Sequence, residues 1–222
     1  MAPKRYPNLD YEIPFWRDGY VCVAGLDEAG RGAWAGPVVA GAVILPALDA
    51  HTARGWRRAR VLRAIARVND SKQLSPLQRQ ALVEPIRACA IASATGAASH
   101  REIDEIGIAP ASKLAMRRAL EALAKQPEAL LLDALVLPEI ELPQVGLIHG
   151  DAISLSIAAA SILAKVTRDR LMCELDAQYP AYHFARHKGY GTADHRAALA
   201  AHGPSPVHRR SYAPIRAVEV KG

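Results

Sequence analysis

Asp27 and Glu28 stand side by side at the end of an apolar, strand-like run over 20–26. A Gly30–Arg31–Gly32 turn follows, then a second strand-like run over 37–45. Two adjacent carboxylates at a strand end suit a hard divalent cation, which prefers oxygen ligands. An arginine between glycines lets a guanidinium and bare backbone amides approach a phosphate closely. A cation site beside an anion site points to chemistry on a phosphodiester. Two more acids occupy unusual places. Asp133 interrupts the apolar run 129–135, where an unpaired charge is costly. Asp151 precedes a long helical pattern, where exposed amides favour an anion.

Each of the four acids thus sits at a strand end or a helix start, and adjacent strand ends converge on one sheet edge. Gathered there, four bare carboxylates would repel until some protonated. A pair of divalent ions removes that conflict and creates a site for in-line phosphoryl transfer. Adjacent residues on a flat strand face opposite ways, so the reading requires the chain to bend at Ala29–Gly30. Simpler roles compete: Asp151 as a helix cap, Asp133 as a buried acid paired with arginine, Asp27–Glu28 as a solvated hairpin tip. Residues 30–35 also fit the G-x-G-x-x-A dinucleotide fingerprint, but that motif needs a helix to start in the turn. Here Gly36–Pro37 and a β-branched run follow instead.

The elements that would position these groups read as follows. Strands are expected over 20–26, 37–45, 90–98, 129–135 and 145–149. Ser75–Pro76 opens a helix to about Cys89, with serine as cap and proline in the first turn. A short helical turn is expected over 102–107, and helices over 110–125, 154–179 and 194–201. Strands followed by strand–helix alternation indicate an α/β architecture with a mixed sheet. Residues 1–16 read as a loosely held N-terminal arm, 17–180 as the catalytic domain, and 181–222 as a helical, basic region packed on it.

The chain has 222 residues, a net charge of +6 and a pI near 9.4, values that suit a polyanionic partner. Cys22, Cys89 and Cys173 show no paired spacing, which argues against a disulfide framework or zinc site and for a reducing compartment. No secretory signal or membrane-spanning run is visible, so a cytoplasmic protein with no membrane partner is expected.

The run GLDEAGRG followed by AGPVV resembles the signature of type 2 ribonuclease H, the ribonuclease HII family. NDSKQLS (69–75), IDEIGI (103–108), LLDAL (131–135), GDAISLSIAAASILAKVTRDR (150–170), HKGYGT (187–192) and HGPSPVHRRSY (202–212) resemble it in the same order. The resemblance implies a ribonuclease H-like mixed five-stranded sheet flanked by helices, with a helical C-terminal extension. It implies an endoribonuclease that hydrolyses the RNA strand of RNA–DNA hybrids and incises 5′ of ribonucleotides embedded in duplex DNA. Products would carry 3′-hydroxyl and 5′-phosphate ends, with Mn2+ or Mg2+ as cofactor and two ions in the reactive complex. Asp27, Glu28, Asp133 and Asp151 match the metal-binding positions. Gly30, Arg31 and Gly32 match the motif that grips the ribonucleotide, and Tyr190 the aromatic that packs on the deoxyribose at the junction. A monomer is expected from the same resemblance.

Lys72, Lys165 and Lys188 are candidate phosphate contacts, with a solvated surface role as the alternative. Among the histidines clustered in the tail, His187 is the one candidate for an accessory catalytic role. Two departures stand out. Ala33–Trp34 replaces the proline more usual after the turn, and segment 46–68 is longer than in typical relatives. That segment carries six arginines, which either decorate a solvated helix face or contact duplex phosphates. A non-catalytic nucleic acid-binding protein and a DNA resolvase on the same fold are the rival functions. The four acids favour an enzyme over the first. The glycine turn and Tyr190 discriminate against the second, which has no ribose to sense.

Overall fold

The structure, a computed structural model, describes residues 6–219. Residues 1–5 of the expected arm and 220–222 of the tail lie outside the described residues. Five strands form one sheet: β1 (Val23–Ala29), β2 (Val38–Ile44), β3 (Ala92–Ala98), β4 (Ala129–Asp133) and β5 (Gln144–Leu147). Their order is β3-β2-β1-β4-β5. The pairs β1–β2 and β2–β3 are antiparallel, while β1–β4 and β4–β5 are parallel. Among the described residues ten α-helices accompany them: α1 (Glu12–Arg17), α2 (Ala50–Arg54), α3 (Pro76–Cys89), α4 (His100–Ile106), α5 (Ile108–Glu121), α6 (Gly150–Ile153), α7 (Leu155–Gln178), α8 (Phe184–His187), α9 (Ala193–His202) and α10 (Ala213–Glu219). The mixed sheet with flanking helices and a helical C-terminal part is the fold class expected from the sequence.

Alternation along β1 and β2 sorts the two faces of the sheet. Leu26, Ala40 and Ala42 bury against Met116 and Ala115 of α5. The opposite face receives α7, and glycines make room for it. A Cβ at Gly25 would lie 2.3 Å from the Ser156 carbonyl carbon, and one at Gly41 would lie 2.2 Å from the Ala160 oxygen. The α7 backbone therefore rests directly on the two central strands. Cap chemistry sets the helix starts. Ser75 and Gln78 form a capping box for α3, and Ser99 and Glu102 one for α4.

Several boundaries differ from expectation. β1 runs through the acid pair to Ala29, because its pairing with β2 continues at Glu28–Ala40 and Ala29–Val39. Asp151 does not directly precede α7. It lies in the first turn of the short helix α6, and Ser154 caps α7 by accepting from Ile157 N–H. The arginine-rich segment forms no continuous helix face, only α2 and 3-10 turns at Trp56–Arg58 and Arg63–Ile65. Nor is the described part of the arm loose. Leu9 and Glu12 are buried, and Asn8 bridges to Ser154.

The Glu12 carboxylate fastens the arm to the start of α7. Its Oε1 accepts from Ser154 Oγ at 2.8 Å, Ser156 N–H at 3.0 Å and Ser156 Oγ at 2.7 Å. A third core, around Met172, Tyr182, Phe184, Leu199 and Ile215, joins the C-terminal helices to the far end of α7. Replacing Glu12 with alanine would strand three buried donors, each costing about 1–3 kcal/mol when unsatisfied. Glu12→Ala is therefore expected to lower the urea midpoint markedly, with Glu12→Gln milder because it keeps an acceptor.

Candidate active site

The carboxylates are brought together by strand register. β1 and β4 run parallel with Leu26 opposite Leu132, so Asp27 and Asp133 follow at equivalent positions on neighbouring strands, roughly 4.8 Å apart across the sheet. The β1–β4 pairing ends there, leaving the edge of β1 open for the longer Glu28 side chain. Asp27 and Glu28 thus line one cleft without the strand break that alternation alone would demand. The chain turns only at Gly30, whose φ is +100°. The cleft has a volume of about 280 Å3 and is also lined by Asp133, Arg31, Gly32, Lys72, Ser161, Lys165 and Tyr190. Asp151 sits behind it, 3% exposed. Gly150 N–H donates to Asp133 Oδ1 at 2.7 Å, and Lys72 Nζ donates to Asp151 Oδ2 at 2.9 Å.

Burial and mutual repulsion set the charge state. Burial holds the Asp27 carboxyl well above the usual carboxylate range; Glu28, Asp133 and Asp151 add to this, against a hydrogen bond from Ser161. Burial also raises Glu28, opposed by Arg31 and reinforced by Asp133. Asp133 is raised by burial, opposed by the Gly150 amide and Lys72 and reinforced by Asp151. Desolvation pulls Lys72 down, but Asp151, Asp27 and Asp70 together hold it above its ordinary value.

These residues fit a divalent cation. The donors are all hard carboxylate oxygens, Glu28 Oε2 is buried without a hydrogen-bond partner, and a bound cation would relieve the repulsion that raises the acids. Among the described residues no group of three or more His, Cys, Asp or Glu side chains stands as a finished cage. In this arrangement Asp27 Oδ1 accepts from Glu28 N–H, Asp133 from Gly150 and Asp151 from Lys72.

The Gly30–Arg31–Gly32 turn is held from two sides. Arg168 of α7 is fully buried and donates to the carbonyls of Pro37, Lys188 and Ala35. A Cβ at Gly30 would strike Arg168 Nε at 2.0 Å, whereas one at Gly32 would meet open space. From the other side, Arg209 Nη1 and Tyr212 Oη both donate to Arg31 O, at 2.9 and 2.6 Å. Arg31 itself reaches Glu28 Oε1 at 3.3 Å.

Tyr190 faces the cleft with its ring over Arg168 and Lys165, at 5.3 and 5.8 Å. Its loop rests on buried histidines. The hydrogen-bond pattern assigns His208 Nε2–H to His195 Nε2 at 2.9 Å, and His195 Nδ1–H to Tyr190 O at 3.0 Å. His187 stacks on His195 at 4.4 Å, accepts from Gly189 N–H and donates to Tyr182 O. Trp34 packs on Gly191 and His195 and joins the same loop through its N–H to Gly189 O.

Residues 24–215 match the family profile described as ribonuclease HII, a span that takes in every acid and loop above. This chain belongs to the ribonuclease HII family. A ribonuclease HII from Dehalococcoides mccartyi is 50% identical over 212 residues, covering 96% of this chain and 95% of that one. Another from Chloroflexus aurantiacus is 52% identical over 210 residues, 94% of each. The crystal structure of ribonuclease H2 from Pyrococcus horikoshii matches with a TM-score of 0.71 at 28% identity, over 90% of this chain and 97% of that one. Membership makes the protein a ribonuclease H, a metal-dependent endoribonuclease of RNA–DNA hybrids.

Within this ribonuclease HII fold the expected residues do not all meet. Asp27, Glu28, Asp133, Gly30, Arg31, Gly32, Lys72, Lys165 and Tyr190 line the cleft. Lys188 does not; it folds back onto Ala185 O and lines a neighbouring groove with Arg79 and Arg186. His187 lies outside the cleft too, with both ring nitrogens already engaged. Sequence reasoning missed Ser161, Arg168, Arg209, Tyr212 and the His195–His208 pair. The one available signal was the helical spacing of Ser161, Lys165 and Arg168, which puts all three on one face of α7. Among the described residues no helix is long and apolar enough to cross a membrane.

Two tests follow from these charge states. Asp27 has a folded-state pKa above its unfolded value, so its contribution to stability is lost as pH rises through that raised value. Asp27→Asn should therefore stabilise the metal-free protein at neutral pH. It should also abolish cleavage and blunt the rise in Tm on adding Mn2+. The histidines act in the opposite sense. Burial holds His195 down at about 4 and His208 at about 3, so the unfolded chain binds more protons below its own value of about 6.5. Stability should fall between about pH 6.5 and pH 3, and pH-dependent thermal melts of His208→Gln should show a shallower fall than wild type.

Proposed function

We propose that the cleft binds both RNA–DNA hybrids and DNA duplexes containing a single ribonucleotide. In this reading it cuts on the 5′ side of the ribose, leaving 3′-hydroxyl and 5′-phosphate ends. The observation that carries it is that Asp27, Glu28 and Asp133 share one cleft with the glycine turn and Tyr190, with Asp151 behind it. Asp27, Glu28, Asp133 and Asp151 would hold two Mn2+ or Mg2+ ions. Such ions supply an activated water and counter-charge for both the attacking and the leaving oxygen.

The chain's own residues supply binding and selectivity. Arg31 is half-exposed at the cleft mouth and provides a guanidinium for the flanking phosphate. The open space beside Gly32 lets backbone groups approach a 2′-hydroxyl, which both donates and accepts. Tyr190 offers a flat face to the next sugar, where a second 2′-hydroxyl would have no room. Lys72 pairs with Asp151 at 2.9 Å; were cations to take its place beside that acid, its ammonium would be free to meet a phosphate oxygen. Lys165 is paired with Asp169 at 2.6 Å and serves chiefly to support the Tyr190 ring.

A DNA duplex with one internal ribonucleotide tests the reading in Mn2+. Incision 5′ of the ribose is expected, with none on an all-DNA control. Tyr190→Ala should reduce incision at the junction about tenfold or more, the scale of a single aromatic stack on nucleic acid, while Tyr190→Phe keeps it. Uniform cutting of the all-DNA control would replace this proposal with a DNA nuclease.

A further inference from the structure

Segment 46–68 carries six arginines against one acid, Asp49, a net +5 of the chain's +6. The remainder of the protein sums to +1, so this segment is one of two strongly basic stretches of the chain, the other being the region 181–222. Even that acid is committed, since Asp49 Oδ1 caps α2 by accepting from His51 and Thr52 N–H. Arg54, Arg57, Arg58, Arg60, Arg63 and Arg67 are all exposed. Among the described residues none of them forms an ion pair with a carboxylate.

The segment is anchored. Ala53, Trp56, Leu62, Ile65 and Val68 bury in the core with Leu155, Ala158 and Ile162 of α7. Arg57 is spent on the scaffold, stacking on Trp56 at 4.5 Å and donating from Nε to Ala66 O. The other guanidiniums project from a fixed platform. Of the large apolar side chains here only Val61 is exposed, which does not suit insertion into a lipid surface.

We propose that this platform is a second binding surface for the duplex backbone, beyond the cleft and on one side of it. The proposal rests on the function stated above. The chain runs from Arg67 through Asn69 and Ser71 to Lys72, at the cleft wall. Five residues span at most about 18 Å, and at 3.4 Å per base pair that is roughly five base pairs of flanking duplex. Arg67 therefore lies within about five base pairs of the cleft wall, and the arginines should contribute only on the side whose flank is retained.

The test compares wild type with the triple variant Arg58→Gln, Arg60→Gln, Arg63→Gln, chosen to spare Arg57. Binding is measured in an Asp27→Asn background across a salt series. The probes are ribonucleotide duplexes with both flanks long, or with either flank trimmed to about four base pairs. Each phosphate that goes unneutralised should lower the slope of log K against log salt by about 0.9. A fall of about 2–3 is expected, with roughly tenfold weaker binding at low salt, on duplexes retaining the long flank on one side only. In the Asp27-intact protein KM should rise and kcat should hold.

An unchanged slope on long duplexes overturns the proposal. So does equal weakening on trimmed duplexes, or an effect confined to anionic vesicles or an acidic protein. A second variant, Arg54→Gln with Arg67→Gln, must give the same pattern with an unchanged Tm. If wild type does not incise the ribonucleotide duplex, the functional reading itself fails. Normal incision with an arginine-independent salt slope sinks the platform alone.

Discussion

At Gly25 and Gly41 the backbone of α7 rests on the sheet with no strand side chain between, and the site depends on that close approach. Gly25 and Gly41 let the helix backbone rest on β1 and β2 where any Cβ would collide with Ser156 or Ala160. The height of the helix then fixes everything it presents to the cleft. Ser161 reaches Asp27, Lys165 lies under the Tyr190 ring, and Arg168 gathers three distant carbonyls. A spacer of one methyl group at either glycine would lift all three together. Close packing transmits such a shift rather than absorbing it.

The acids impose the opposing demand. Parallel register sets Asp27 beside Asp133, and burial makes their ionisation unfavourable. The fold offsets this locally, with an amide for Asp133, a lysine for Asp151 and an arginine for Glu28. These offsets are partial, since Asp27, Glu28 and Asp133 remain raised. A centre left short of positive charge in this way is primed for cations, and strain of this kind is characteristic of functional sites.

Much of this was legible in the residues. Asp27–Glu28 and the glycine turn stand out because carboxylates and glycines end an apolar run, and the five strands were all visible from composition. Helix α6 was not, because four residues carry no period. The extent of β1 was hidden too, since pairing with β2 decides where the strand stops. Arg168 escaped because an arginine within a helix reads as solvated. Its partners are backbone carbonyls far along the chain, which no side-chain type announces. The histidines of the tail drew notice as a cluster, yet the ring nitrogens of His187, His195 and His208 serve backbone groups and one another. Lys188 was plausible beside Tyr190, but its left-handed backbone, with φ of +52°, aims the ammonium elsewhere.

The two walls of the cleft have different foundations. The acid wall is built on the sheet and α7. The opposite wall, the glycine turn and Tyr190, leans on Arg209, Tyr212 and the His195–His208 pair, all near the C-terminal end. Fraying at that end would thus spare the carboxylates while releasing the glycine turn and Tyr190. Such a molecule would keep its acids in place and lose the wall that faces them, so the two sides of the cleft answer to different parts of the fold.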